Sequence, residues 1–110
     1  MFYIMNTTGI FTTEKNLTIK YSEITVSEAI NKIEWATSNP ISAVGHETTL
    51  DIINTLLDTD FEFQRYQVDF KIGDEAICFQ IKTRPPEGVI LSKEEIEQLG
   101  YKFTYLVISN

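Results

Sequence analysis

The chain carries a single histidine, His46, in the run Ala43-Val44-Gly45-His46-Glu47-Thr48-Thr49, where a short apolar stretch passes through a glycine into an amphipathic pattern. A histidine at the first turn of a helix can meet an anion, because N–H groups there lack intrahelical partners and carry a partial positive charge. An imidazole with an ordinary pKa of about 6.5 also exchanges a proton near neutral pH. The two arginines, Arg65 and Arg84, are equally sparse, and the second opens Arg84-Pro85-Pro86-Glu87-Gly88. Two readings of that run stand. It is a rigid proline turn closing the path to the next helix, or it holds the guanidinium of Arg84 where a planar fork can grip phosphate oxygens, with Glu87 as a carboxylate beside the imidazole.

Other chemistries fit the sequence less well. Zinc takes several Cys or His ligands, and the chain has one of each, so no metal and no cofactor is expected. Neither a Gly-x-Ser-x-Gly turn nor a phosphate-loop pattern is present, and Cys78 sits in an apolar alternation that marks it as a small core residue. What remains is acid–base chemistry on an anion.

The elements that must position these residues follow from periodicity. Phe2-Tyr3-Ile4-Met5 is a buried first strand that empties into the polar loop Asn6-Thr7-Thr8-Gly9, and Asn16 to Ile24 has strand character. Thr25-Val26-Ser27-Glu28 has capping-box spacing, and Val26, Ala29, Ile30, Ile33 and Ala36 recur as a helical stripe that ends before Pro40. Trp35 lies beside the stripe and reads as a packing residue rather than a base-stacking platform. Ile41 to Val44 is a short strand, and a helix from about Glu47 to Leu57 buries Leu50, Ile53, Leu56 and Leu57, which puts His46 near its N-cap. Tyr66–Ile72 and Ile77–Lys82 both alternate and read as a β-hairpin about Gly73-Asp74-Glu75. On its second strand Ile77, Phe79 and Ile81 share a face, leaving Cys78, Gln80 and Lys82 on the other, where Gln80 and Lys82 either line a site or meet solvent. Ser92-Lys93-Glu94-Glu95 starts a helix that Gly100 ends, and Tyr101 to Ser109 is a last strand. The expectation is one α+β domain over residues 1–110, with a mixed, mostly antiparallel sheet flanked by helices in the order β-β-α-β-α-β-β-α-β.

The formal net charge of −7 argues against a protein that coats long nucleic acids, since such binding draws on many Lys and Arg contacts to phosphate. Many carboxylates fall in Asp58-Thr59-Asp60-Phe61-Glu62, Asp74-Glu75 and Glu94-Glu95-Ile96-Glu97, stretches expected to lie away from His46. A lone cysteine excludes an internal disulfide and fits a reducing compartment. With neither a signal segment nor a run of about 18 apolar residues, the chain reads as a soluble, cytoplasmic protein without membrane contact.

Taken together, Tyr3-Ile4-Met5-Asn6-Thr7-Thr8, Ile41-Ser42-Ala43-Val44-Gly45-His46-Glu47-Thr48-Thr49, Arg84-Pro85-Pro86-Glu87-Gly88 and Leu91-Ser92-Lys93-Glu94-Glu95-Ile96 resemble the viral anti-CRISPR ring-nuclease family and its bacterial relatives. The resemblance covers nearly the whole chain. It implies a homodimer that cleaves cyclic tetra-adenylate, the messenger of type III CRISPR systems, without a metal ion, in the host cytoplasm if the protein is viral. His46 then matches the family's catalytic histidine, and Arg84 and Glu87 its arginine and glutamate. Asn6, Thr48, Arg65, Val68 and Gln80 fall where relatives line the nucleotide pocket. The first loop departs from some archaeal viral members, offering Gly9 where they have serine, with Thr7 and Thr8 alongside as further candidate contacts. A protein that binds a cyclic nucleotide without cutting it is the competing reading.

Overall fold

A computed structural model describes residues 1–64, 66–83 and 88–110. Among them the chain forms β1 (Phe2–Met5), β2 (Thr18–Ile24), α1 (Val26–Glu34), β3 (Ile41–Ser42), α2 (Glu47–Leu57), β4 (Glu75–Ile81), α3 (Lys93–Leu99) and β5 (Tyr101–Ser109). The expected α+β class holds, with one strand fewer than the sequence pattern suggested.

The strands form one mixed sheet in the order β2-β5-β4-β1-β3. The long ladders β2·β5 and β4·β5 are antiparallel, whereas β1 pairs in parallel with β4 on one side and with β3 on the other. Consecutive parallel strands need a crossover, and α2 supplies the one from β3 to β4. Its N-terminus therefore lies at the carboxyl ends of β1, β3 and β4.

Alternation along the strands gives the sheet two apolar faces. One face, with Phe2, Ile4, Ile77, Phe79 and Phe103, packs against Ala29 of α1, Leu50, Ile53 and Leu57 of α2 and Ile96 of α3. The other, with Tyr3, Met5, Ala76, Cys78, Leu106 and Ile108, is covered by Val68 and Phe70, with Ile10 and Leu17 packed alongside. All three helices thus lie on one side and irregular chain lies on the other. Both expected capping boxes form: Thr25 Oγ1 accepts from Glu28 N–H while Glu28 Oε1 accepts from Thr25 N–H, and Ser92 and Glu95 repeat the exchange.

Two expectations are corrected. Tyr66–Ile72 is not a strand, and the hairpin with β4 does not form, because both edges of β4 are already paired, with β1 and with β5. The alternation instead reflects a run lying against the second face. Val68 and Phe70 point inward, Asp69 and Lys71 form an ion pair outside, and Phe70 N–H donates to Phe11 O at 3.0 Å. The run turns into β4 where Asp74 accepts the Lys71 N–H at 2.8 Å. Trp35 is not a packing residue: it is 84% exposed. It caps the C-terminus of α1, and two residues past Ile33 lie about 200° around a helix from the buried stripe.

Candidate functional site

His46 is the N-cap residue of α2, with extended backbone angles (φ −130°, ψ 123°). Its carbonyl accepts the first helical bond from Leu50 N–H at 3.0 Å, yet its side chain makes no capping bond. The best N-cap residues place a short side-chain oxygen over the N2 or N3 amide, and an imidazole does this poorly. The half-buried ring is therefore not used to close the helix end.

The residues around it converge from the ends of the parallel strands. Asn6, directly after β1, turns its Oδ1 toward the Gly45 N–H at 3.5 Å, tying the first loop to the glycine that precedes His46. In the first turn of α2, Thr48 Oγ1 accepts from Gly88 N–H at 3.3 Å, bringing the chain that follows the Pro-Pro run to the same helix end. Thr49, one residue on, is buried and, with Asn6, Phe79, Gln80, Ile81 and Lys82, lines a recess of about 370 Å³ at the end of β4. In the first loop, Thr7 Oγ1 accepts from Gly9 N–H at 3.1 Å, closing a local turn, and Thr8 is half-buried.

The structure thus brings His46, Asn6, Thr48 and Gln80 to one end of the domain. Val68 lies elsewhere, 7% exposed in the second apolar layer. Arg65, Arg84 and Glu87 fall outside the described residues. Lys82, read from the sequence as either lining a site or meeting solvent, lines the recess, and Thr49 joins it although its sequence context does not mark it as a site residue. Thr49 reads as one more helix-forming position of α2.

Several other nucleophiles and acids are held inert or remote, although Glu47 lies next to His46 in the first turn of α2. Burial pushes the Cys78 thiol up to about 12, so it stays protonated. Burial, with a hydrogen bond to Glu97, likewise pushes the Tyr101 phenol up to about 12. Asp74 and Glu75 sit at the start of β4, opposite the His46 end of the sheet, and Asp58 caps the far end of α2, as the sequence suggested. Glu97 departs from that expectation, since it lines a groove with Lys102 on the β5 side of the same end. Among the described residues no helix is long and apolar enough to cross a membrane.

Known proteins share both the sequence and this architecture. The chain is 36% identical over 103 residues, 92% of its length and 86% of the relative's, to uncharacterized protein 26 of Sulfolobus islandicus filamentous virus. It is 29% identical to uncharacterized protein ORF117 of Acidianus two-tailed virus, covering 94% of this chain and 90% of that protein. A bacterial relative, uncharacterized protein YddF of Bacillus subtilis, is 29% identical over 79% of this chain and 81% of its own. The solved structure of B116 of Sulfolobus turreted icosahedral virus superposes with a TM-score of 0.84 at 27% identity, covering 96% of this chain and 97% of that one. Residues 2–103 match the STIV B116-like family, and the chain belongs to it.

Proposed function

We propose that this protein is a metal-independent ring nuclease that opens cyclic tetra-adenylate into linear di-adenylates with 2′,3′-cyclic phosphate ends and so switches off type III CRISPR signalling. In a virus this activity is an anti-CRISPR. The reading rests on the resemblance of the four sequence runs to that family. Its structural support is the placement of His46 at the head of α2, with a side chain that does no capping and with Asn6 and Thr48 at hand.

The chemistry needs no added nucleophile. A ribose 2′-hydroxyl attacks its own 3′-phosphate and gives up its proton to solvent water, the P–O5′ bond breaks, and the departing 5′-oxygen takes a proton. The enzyme's tasks are alignment, stabilisation of the crowded phosphate and delivery of that proton. His46 is the general acid. The first-turn N–H groups of α2 and the guanidinium of Arg84 balance the charge on the phosphate. Glu87 orients the imidazole. One histidine per chain serves one linkage, so a twofold homodimer presents two imidazoles to opposite linkages of a four-membered ring and yields two identical halves.

The test is incubation with cyclic tri-, tetra- and hexa-adenylate in excess chelator, with products resolved by mass. Linear di-adenylate carrying a cyclic phosphate is the expected product of the tetramer. A ring that binds but emerges intact makes the protein a receptor and removes the nuclease.

A further inference from the structure

We propose that Lys82 holds a second, uncleaved phosphate of the cyclic oligonucleotide, as a binding residue separate from the cleavage machinery. This rests on the ring-nuclease reading above. Lys82 follows β4 directly, on the strand face shared by Gln80, and lines two recesses that meet at the strand end. One runs toward Asn6 and Thr49, the other toward Gly100, Tyr101 and Lys102, and the second has a volume of about 410 Å³.

Lys82 is exposed, and three observations set it apart from other surface lysines. Its backbone is fixed, since its N–H donates to Gly100 O at 2.8 Å, beyond the last paired residues Ile81 and Tyr101. Its stem also has a set course. A Cβ placed on Gly100 would lie 3.8 Å from Lys82 Cβ and 3.9 Å from Lys82 Cδ, so the side chain runs across the bare glycine that ends α3. Finally, among the described residues the ion pairs are Met1 with Asp74 and Lys71 with Asp69, and none of their carboxylates lies within 4.0 Å of Lys82. Lys102, the other cation of these recesses, lies toward the Tyr21 ring on β2, 6.0 Å from its centroid.

Gln80 supplies an independent sign that this strand end awaits a ligand. Its Oε1 is buried and, among the described residues, has no hydrogen-bond partner. A buried acceptor left unpaired is costly, and turning the amide into the recess would let a nucleotide hydroxyl or amino group satisfy it. A cation and an acceptor two residues apart at this strand end, both without partners among the described residues, suit a phosphate and its nucleoside.

The experiment is titration of cyclic tetra-adenylate into the full-length protein across a salt series, using His46→Ala to prevent turnover, with and without Lys82→Gln. Single-turnover cleavage is measured in parallel on chains that retain His46. Lys82→Gln is expected to weaken binding roughly five- to tenfold and to lower the slope of log affinity against log salt by about 0.7 for each Lys82 facing the ring. The cleavage rate at saturating ring stays unchanged, Lys82→Arg restores affinity, and Lys102→Gln leaves the slope as it was. A salt slope unaltered in Lys82→Gln, or a lowered saturating rate, overturns the assignment to Lys82 while the nuclease reading stands. Wild-type protein that neither binds nor cuts the ring removes both.

Discussion

Replacing His46 by serine should make the protein more stable while abolishing its proposed activity. The backbone at position 46 already has the extended geometry of an N-cap, and the imidazole makes no capping bond. A serine oxygen would satisfy an amide of the first turn, and exchanges between good and poor N-caps change stability by about 0.5–2 kcal/mol. Giving up the packing of the half-buried ring offsets part of this, leaving a net gain of about 0.5–1 kcal/mol. For a domain of this size that raises the melting temperature by about 2–5 °C. Loss of a general acid costs about 10²–10⁴ in rate, or about 2.7–5.5 kcal/mol of transition-state stabilisation. Calorimetry and single-turnover cleavage of one variant preparation measure both. A melting temperature that drops would mean that the imidazole holds the helix end together. Turnover within tenfold of wild type would remove His46 from the chemistry.

Arg84→Ala should weaken ring binding and also slow the saturating cleavage rate, and full-strength binding in that variant would exclude a phosphate clamp. Thr25→Ala removes the cap of α1 and should destabilise the fold by about 1 kcal/mol in chemical denaturation, without affecting nucleotide binding. The Thr25 backbone N–H and side chain hold the Glu28 carboxyl below its ordinary value, so its contribution is present above the unfolded carboxylate pKa and fades as pH falls through the lowered folded one. The gap between Thr25→Ala and wild type should therefore narrow in acid, and a gap that widens there would contradict the capping box. Cys78, its thiol raised to about 12 by burial, should resist aromatic disulfide reagents at pH 8 in the native protein and react once unfolded. Stoichiometric labelling of the native state would show that the second face of the sheet opens.

Sequence reading succeeds where structure is decided locally. The two capping boxes each close within four residues, so spacing alone suffices to place the starts of α1 and α3. The α2 boundaries follow from an apolar stripe as long as the helix itself. It fails at Tyr66–Ile72, because alternation reports one buried face and says nothing about which partner covers the backbone. The competition for the edges of β4 is won by β1 and β5, strands far away in the chain. Trp35 misleads for a related reason: its hydrophobicity counts for less than its angle around α1. At the site, His46 is legible because a glycine and a helix start bracket it. Lys82 is legible only as a residue that lines a site or meets solvent, since what distinguishes it comes from Gly100, eighteen residues later and beside it only after β5 pairs with β4.

The same topology would let a chain of net charge −7 attract the polyanion proposed as its substrate. A crossover helix between parallel strands must begin at their carboxyl ends and finish near their amino ends, so α2 points its positive end at the recess and carries Asp58 away from it. Its 11 residues span about 16 Å, roughly twice the screening length of about 8 Å at physiological salt. Asp58 at that distance, and Asp74 and Glu75 at the opposite end of the sheet, are heard only faintly at His46. The local field is then set by the helix start and by the charges placed there, Glu47 among them. Glu47, next to His46 in the first turn of α2, and Glu97 are acids that this separation does not remove, and the hydrogen bond that Glu97 accepts from the Tyr101 hydroxyl turns its carboxylate toward α3's own neighbour rather than toward the recess beside Asn6.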